Sequence, residues 1–326
     1  MSGTSGAGTG TVNHAASVRV GAVQAVAAYI LWGGLPLYFV ALAPANAFEI
    51  VAWRVLFSLA FCAILVSATR GWRRLAGIIT TRRVVLTLGV AGILVFINWQ
   101  TYILATVNGN VVEAALGYFI NPIVTVLLGV VFLGERLRIM QWCAVAVSLV
   151  AVGVLAFGYG QVPWIALVLA FSFGLYGLVK KRVGRDVDAL SGLTLETMWL
   201  TPVAIVELII VQSVSGVTFA SDGPGHALLL AGAGIVTAIP LLLFAGAARR
   251  LPLVLIGFIQ YLTPVFQLVV GVAFLHESMP PSRWIGFAIV WLALAMLSID
   301  MVRAWRRSRG GRPSPGHTGI IEQSAG

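Results

Sequence analysis

The fold class this sequence predicts is an all-α integral membrane protein of ten transmembrane helices, arranged as two five-helix repeats of opposite orientation (5+5). Three observations predict it: long apolar runs, a one-sided distribution of cationic residues, and a pattern that recurs at one offset in the two halves. Apolar residues make up 59% of the 326 and charged residues only 10%. A soluble domain carries roughly 25% charged residues, because its surface has to be wetted. Runs of about 20 apolar residues instead match a hydrocarbon core of ~30 Å. A water-soluble globule is thereby excluded.

The runs predict helices over 18–42, 48–68, 84–106, 111–134 and 139–157, then over 163–180, 190–212, 227–247, 253–275 and 283–302. Turn chemistry separates them: Pro44 and Asn46, Asn108-Gly109-Asn110, Gly158 to Pro163, Asp222-Gly223-Pro224, and Pro280-Pro281. With ten helices, all but two of the 21 Lys and Arg residues fall on one side of the membrane. The exceptions are Arg283, on the opposite side, and Arg54, inside a helix. Cationic loops stay in the cytoplasm, so both termini are expected there. Adding or removing one helix would mix the two sides. The formal charge of +10 therefore reads as topology and not as a nucleic-acid surface.

An offset of 142 residues lays the fourth helix on the ninth: Pro122 meets Pro264, Gly129 meets Gly271, and Phe132 meets Phe274. Leu133 then meets Leu275, Glu135 meets Glu277, and Trp142 meets Trp284. Each half holds an odd number of helices, so the two copies enter the membrane from opposite sides. Inverted repeats are a recurring plan of secondary transporters, because exchanging the conformations of the halves interconverts outward-open and inward-open states. The boundaries read as a disordered tail over 1–17, a first repeat over 18–158, a second over 159–303, and a basic cytoplasmic tail over 304–326. No basic segment in the first 17 residues suggests a cleavable signal.

The blocks Ala28-Tyr-Ile-Leu-Trp-Gly33, Leu116-Gly-Tyr-Phe-Ile-Asn-Pro122 and Phe132-Leu-Gly-Glu-Arg136 resemble the EamA domains of the drug/metabolite transporter superfamily. Gly257-Phe-Ile-Gln-Tyr-Leu-Thr-Pro264 and Glu277 resemble a second copy, and the whole set is most similar to the RarD branch. His276 departs from the pattern, since the first copy has Gly134 before its Glu. The resemblance implies a ten-helix inverted repeat in the cytoplasmic membrane that moves small metabolites or drugs, with export as the implied direction.

Ionisable groups inside apolar runs are the sharpest site candidates, since a charge at mid-membrane costs at least ~2.5–3.5 kcal/mol on insertion scales. Arg54 lies roughly 10 Å below the outer end of the second helix. Glu49 is about 140° away round the same helix, whereas Glu113, at the outer start of the fourth, differs from Arg54 by roughly 6 Å in depth. Glu113 is therefore the expected partner. Glu196 enters the seventh helix from the cytoplasmic side. These residues either line a polar pathway for a charged substrate group or a coupling proton, or they form a structural pair locking helices two and four.

A second set is polar and aromatic. Tyr118, Asn121, Gln260 and Tyr261 cluster about Pro122 and Pro264, which read as helix breaks or hinges whose freed carbonyls only a cavity or neighbouring protein can satisfy. Asn98 and Tyr102 share one face of the third helix, Ser172 and Tyr176 one face of the sixth, and Tyr29 and Trp32 cluster in the first. These groups suit a small-molecule site. The glycines at 129, 257 and 271 read as helix-packing positions.

Catalysis has little support. No glycine loop with a Lys cradles a phosphate, and His14, His226, His276 and His317 lack ligand spacing. Cys62 and Cys143 read as buried apolar residues. No catalytic residue, metal or cofactor is expected. The expected partners are a small-molecule substrate and the lipid bilayer, with no nucleic acid and with a homodimer left open. The reading is a secondary transporter working by alternating access. The alternatives are a channel or receptor and an intramembrane enzyme, which would need clustered Asp, His or Cys at one membrane depth.

Overall fold

The computed structural model describes residues 8–134, 136–159, 162–183, 187–219, 221–248, 250–251 and 259–310. Glu135 and Gly257, two residues of the proposed repeat, lie outside the described residues, as do the outer ends of both tails. The described residues are helical with short connections. The helices are α1 (Gly8–Val40), α2 (Ala47–Ala68), α3 (Trp72–Ile79), α4 (Arg82–Val107), α5 (Val111–Leu133) and α6 (Ile139–Tyr159). They continue as α7 (Trp164–Val183), α8 (Ala189–Val214), α9 (Pro224–Ala248), α10 (Leu262–Val269) and α11 (Pro281–Gly310).

The helix ends follow local chemistry. Asn46 caps α2 by accepting from the Glu49 N–H at 3.0 Å, and Asp188 caps α8 by accepting from the Ser191 N–H at 3.1 Å. Gly134 stops α5 at φ 65°, a left-handed position that glycine adopts without a Cβ clash. Pro224 opens α9, where its missing N–H costs no helical bond.

Eight helices among the described residues are long and apolar enough to cross a membrane. The other two predicted spans correspond to shorter apolar stretches, Trp164–Lys180 and Leu262–Phe274. The first merges into the cationic end of α7. For the second, residues 252–258, where the prediction starts the ninth helix, lie outside the described residues.

Three other expectations change. The 70–83 connection contains α3, whose Leu75 and Ile78 are buried against Leu88 and Leu195 while Arg73 and Arg74 stay exposed. A short amphipathic helix of this kind is carried by packing and not by propensity. The helical rods also outrun the predicted spans at both chain ends, α1 starting at Gly8 and α11 ending at Gly310. The paired prolines, finally, behave differently. Pro122 sits inside an unbroken α5. Pro264 follows a turn at Gln260 and Tyr261, then lies in the first turn of α10, which ends in a π-helical turn over Val270–Phe274. A proline ring clashes with the carbonyl four residues earlier. At Pro264 that is Gln260, whose carbonyl accepts from the Thr263 N–H at 3.2 Å.

The distribution of polarity is that of a protein solvated by lipid. Val23, Ile64, Val131, Leu149, Phe157, Ile209 and Leu292 are exposed, while Glu49, Arg54, Asn98, Glu196 and Gln267 are buried. One apolar core joins α1, α2, α4 and α8, with further residues from α5, α7 and α9, and a second joins α5, α6, α7 and α11. Close helix contacts rest on small residues. A Cβ at Gly234 of α9 would sit 2.4 Å from the Phe57 backbone of α2, and one at Gly117 of α5 would sit 2.7 Å from the Ala166 carbonyl of α7. Gly234→Val should therefore force α2 and α9 apart and cost about 1–3 kcal/mol. It should lower the midpoint of thermal unfolding in detergent, whereas Gly177→Ala, facing open space, should leave it unchanged.

Candidate functional site

A cavity of about 930 Å³ lies between α1, α2, α4, α5, α7, α8 and α9 and the start of α10. Helical periodicity brings its wall together. Val95, Asn98, Trp99 and Tyr102 form one stripe of α4, and Thr237, Leu241 and Phe244 form one of α9. Side-chain exposure falls from 72% at Arg74 and 31% at Lys180 to 1% at Glu196. Arg54 is 4% exposed. The cavity thus opens at the Arg74 end and closes at the Arg54 end.

At the closed end the Arg54 Nε donates to Thr237 Oγ1 at 2.8 Å, and that hydroxyl donates onward to the Ala233 carbonyl at 2.7 Å. The guanidinium carbon lies 4.2 Å from the centroid of Trp99 and 5.4 Å from that of Phe39, both within cation–π range. Its Nη1 is buried without a hydrogen-bond partner. No ion pair to Arg54 occurs among the described residues.

The expected partner Glu113 is engaged elsewhere. Its Oε1 accepts from the Ile165 N–H at 3.1 Å, at the start of α7. Glu277 does the same for α5, accepting from the Val111 N–H at 2.6 Å and the Val112 N–H at 2.9 Å. Glu49 accepts from the N–H groups of Thr218 and Phe219 at 2.8 and 3.1 Å. A helix N-terminus offers unpaired N–H groups and the positive end of its dipole. These backbone donors hold the Glu113 and Glu277 carboxylates and leave Arg54 without one.

At the open end the ions are paired. Lys180 Nζ lies 2.5 Å from Glu196 Oε1, and the Tyr176 hydroxyl donates to Glu196 Oε2 at 3.2 Å. Arg74 lies 3.6 Å from Asp188. Burial alone would raise the Asp188 pKa, but bonds from the Ser191 hydroxyl and N–H, with Arg74 beside it, hold it below the usual carboxylate range. Between the two ends, Asn98 donates to the Leu169 carbonyl and to Ser172, each at 3.1 Å, and accepts from the Tyr118 hydroxyl at 3.1 Å. Asn121 donates to the Ala170 carbonyl at 3.0 Å. The two amides tie α4 and α5 to α7. Tyr29, Trp32 and Phe244 form an aromatic cluster with ring centroids 5.3–6.0 Å apart.

The candidates Arg54, Glu196, Asn98, Tyr102, Tyr118, Asn121, Tyr176, Gln260, Tyr29, Trp32 and Pro264 thus share one wall. Glu113 and Pro122 do not line it. Tyr261 faces a separate apolar groove with Phe119, Trp284 and Trp291, because the turn before α10 sends it and Gln260 to opposite sides. Lys180, Arg74, Asp188, Trp99 and Thr237 also line the wall and are not among the residues that the sequence singles out. Lys180 carried a signal: Ser172, Tyr176 and Lys180 follow at four-residue spacing on one helix face.

Comparison with known proteins bears on this arrangement. The model of the EamA-like transporter family matches the chain twice, over residues 19–157 and 162–299. The chain belongs to the EamA-like transporter family. Among its curated relatives, Protein RarD of Streptomyces exfoliatus is 47% identical over 89% of this chain and 92% of its own. Protein RarD of Escherichia coli K12 is 41% identical over 90% of this chain and 99% of its own. A solved crystal structure at 20% identity shares the fold, with a TM-score of 0.57 over 86% of this chain and 97% of the other. This EamA-like chain is therefore a RarD-like, multi-pass membrane protein of a transporter family.

As a cap on α7, Glu113 stabilises the fold. Glu113→Gln should lose about 1 kcal/mol of stability, seen as a lower unfolding midpoint in detergent, while solute flux is retained. A loss of flux at unchanged stability would show that the carboxylate acts in the pathway instead.

Proposed function

We propose that this chain is a secondary transporter of the cell membrane, not an enzyme, that carries a small molecule by alternating access. The observation that carries the proposal is the cavity itself, polar and aromatic, walled by both family-matched segments and open at the Arg74 end. Its volume of about 930 Å³ falls within the range of small-molecule sites. Its mouth is marked by Arg74 and Lys180, on the side where the cationic loops gather. By the positive-inside rule this is the cytoplasmic side, with both termini there, and the conformation is inward-open. The outward direction of transport rests on the family resemblance.

In this reading ten spans form two inverted five-helix repeats, with α7 and the interrupted α10 segment as the sixth and ninth. The double match of the family model supports the repeat. So does the packing. Exchanging α1 with α7, α2 with α8, α4 with α9, α5 with α10 and α6 with α11 converts the principal contacts into one another. The α5–α7 contact becomes α10–α1, α4–α7 becomes α9–α1, and α2–α9 becomes α8–α4, while α2–α8 and α6–α11 map onto themselves. Such exchange is what lets two related bundles trade conformations and move the opening across the membrane.

Proteoliposomes preloaded with single compounds from a panel of amino acids, nucleosides and amphiphilic drugs should show saturable counterflow of at least one. Flux that rises linearly with concentration and passes ions would favour a channel. A cysteine at Ala189, in a Cys143→Ala background, should react with an impermeant maleimide from the cytoplasmic face. Reaction from the outside alone would reverse the assigned orientation.

A further inference from the structure

The geometry points to an organic monoanion with an apolar ring body as the solute of this cavity, its oxyanion held by Arg54. This deepens the transport reading and rests on it. A guanidinium carries five N–H donors and stays protonated in proteins. In a low-dielectric interior such a cation needs a counter-charge or several acceptors. Arg54 has the Thr237 hydroxyl and two ring faces, and its Nη1 has no partner. Of the described carboxylates near that end, Glu49, Glu113 and Glu277 are bound to backbone N–H groups, and Glu207 of α8, whose Oε2 is buried without a partner, forms no ion pair with Arg54.

The charge of the wall points the same way. Among the described residues, its cations are Arg54, Arg74 and Lys180, and its carboxylates are Asp188 and Glu196. Both carboxylates are taken, Asp188 by Arg74 and Glu196 by Lys180. One positive charge is left over at the deep end, which a monoanion neutralises and a cationic solute would oppose. The rest of the wall describes the body of the solute. Around Arg54 and toward the mouth stand Trp99, Tyr102, Trp32, Tyr29 and Phe244, planar groups suited to a ring. A second polar anchor lies nearby. Phe39 packs on both Arg54 and Tyr102, and Tyr102 accepts from Gln267 Nε2 at 3.0 Å. Gln267 Oε1 is buried and unpartnered, placed to accept from a solute N–H or O–H.

The test compares isosteric acid and amide pairs: benzoate with benzamide, phenylacetate with phenylacetamide, and indole-3-acetate with indole-3-acetamide. Binding is measured by titration calorimetry on wild-type protein in phosphatidylcholine nanodiscs. At least one acid should bind about tenfold or more tightly than its amide, the size expected for a hydrogen-bonded buried charge. Arg54→Gln should abolish that preference, and Arg54→Lys should keep part of it. Equal binding of acid and amide throughout, or no binding by any acid, overturns the proposal, and this comparison needs no variant to fold. Loss of acid binding in phosphatidylglycerol nanodiscs at high ionic strength, where repulsion of the acid by the bilayer surface is screened, would identify an anionic lipid headgroup as the occupant and would likewise overturn it. Counterflow separates the two readings. Acid binding without flux leaves the anion site standing and removes the transport reading, and flux of the amides without acid preference does the reverse.

Discussion

Hydrocarbon does not hydrate charge, and the interior of this protein is organised around that constraint. An ionised group among the helices is stabilised by partners inside the protein, because an unpaired buried charge costs several kcal/mol. Three carboxylates, Glu49, Glu113 and Glu277, meet this demand with backbone. Glu113 and Glu277 take the free N–H groups at the starts of α7 and α5, and Glu49 those of the 218–219 turn. The consequence appears elsewhere, at Arg54, which rests on aromatic faces and one hydroxyl.

The same bonds knit the molecule across its two halves. Glu277, late in the chain, holds the beginning of α5, while Glu113, early in the chain, holds the beginning of α7. Asn98 and Asn121 add ties to the α7 backbone from α4 and α5. These contacts concentrate around the middle of the bundle and the end away from Arg74, whereas at the mouth Arg74 pairs with Asp188 and Lys180 with the buried Glu196. The exposed Arg74–Asp188 pair contributes little, roughly 0–1 kcal/mol.

Much of the site was legible in the chain. The stripes carrying Asn98 with Tyr102 and Ser172 with Tyr176 follow helical periodicity, and that rule placed them on the cavity wall. Arg54 stood out because a cation in an apolar run is expensive. Reasoning from depth failed at its partner. Depth shows which residues share a membrane level, but not which helix end lies beside a carboxylate, and the N-terminus of α7 outbids a guanidinium for Glu113. Tyr261, expected beside Gln260, lines the separate groove with Phe119 and Trp291. Continuing the ninth helix through Gln260 puts the two residues on neighbouring faces, whereas the turn before Pro264 separates them.

By itself the sequence determined the solvent of this protein, the number and limits of most apolar helices, the loops in which its cations gather and the recurrence of its motifs, because hydropathy and charge act locally along the chain. Only the tertiary structure decided which helices touch, where α10 is interrupted, that Lys180 reaches inward to Glu196, and that no described carboxylate pairs with Arg54. Those outcomes depend on competition among donors brought together from distant segments, and a competition in three dimensions leaves no periodic trace in one.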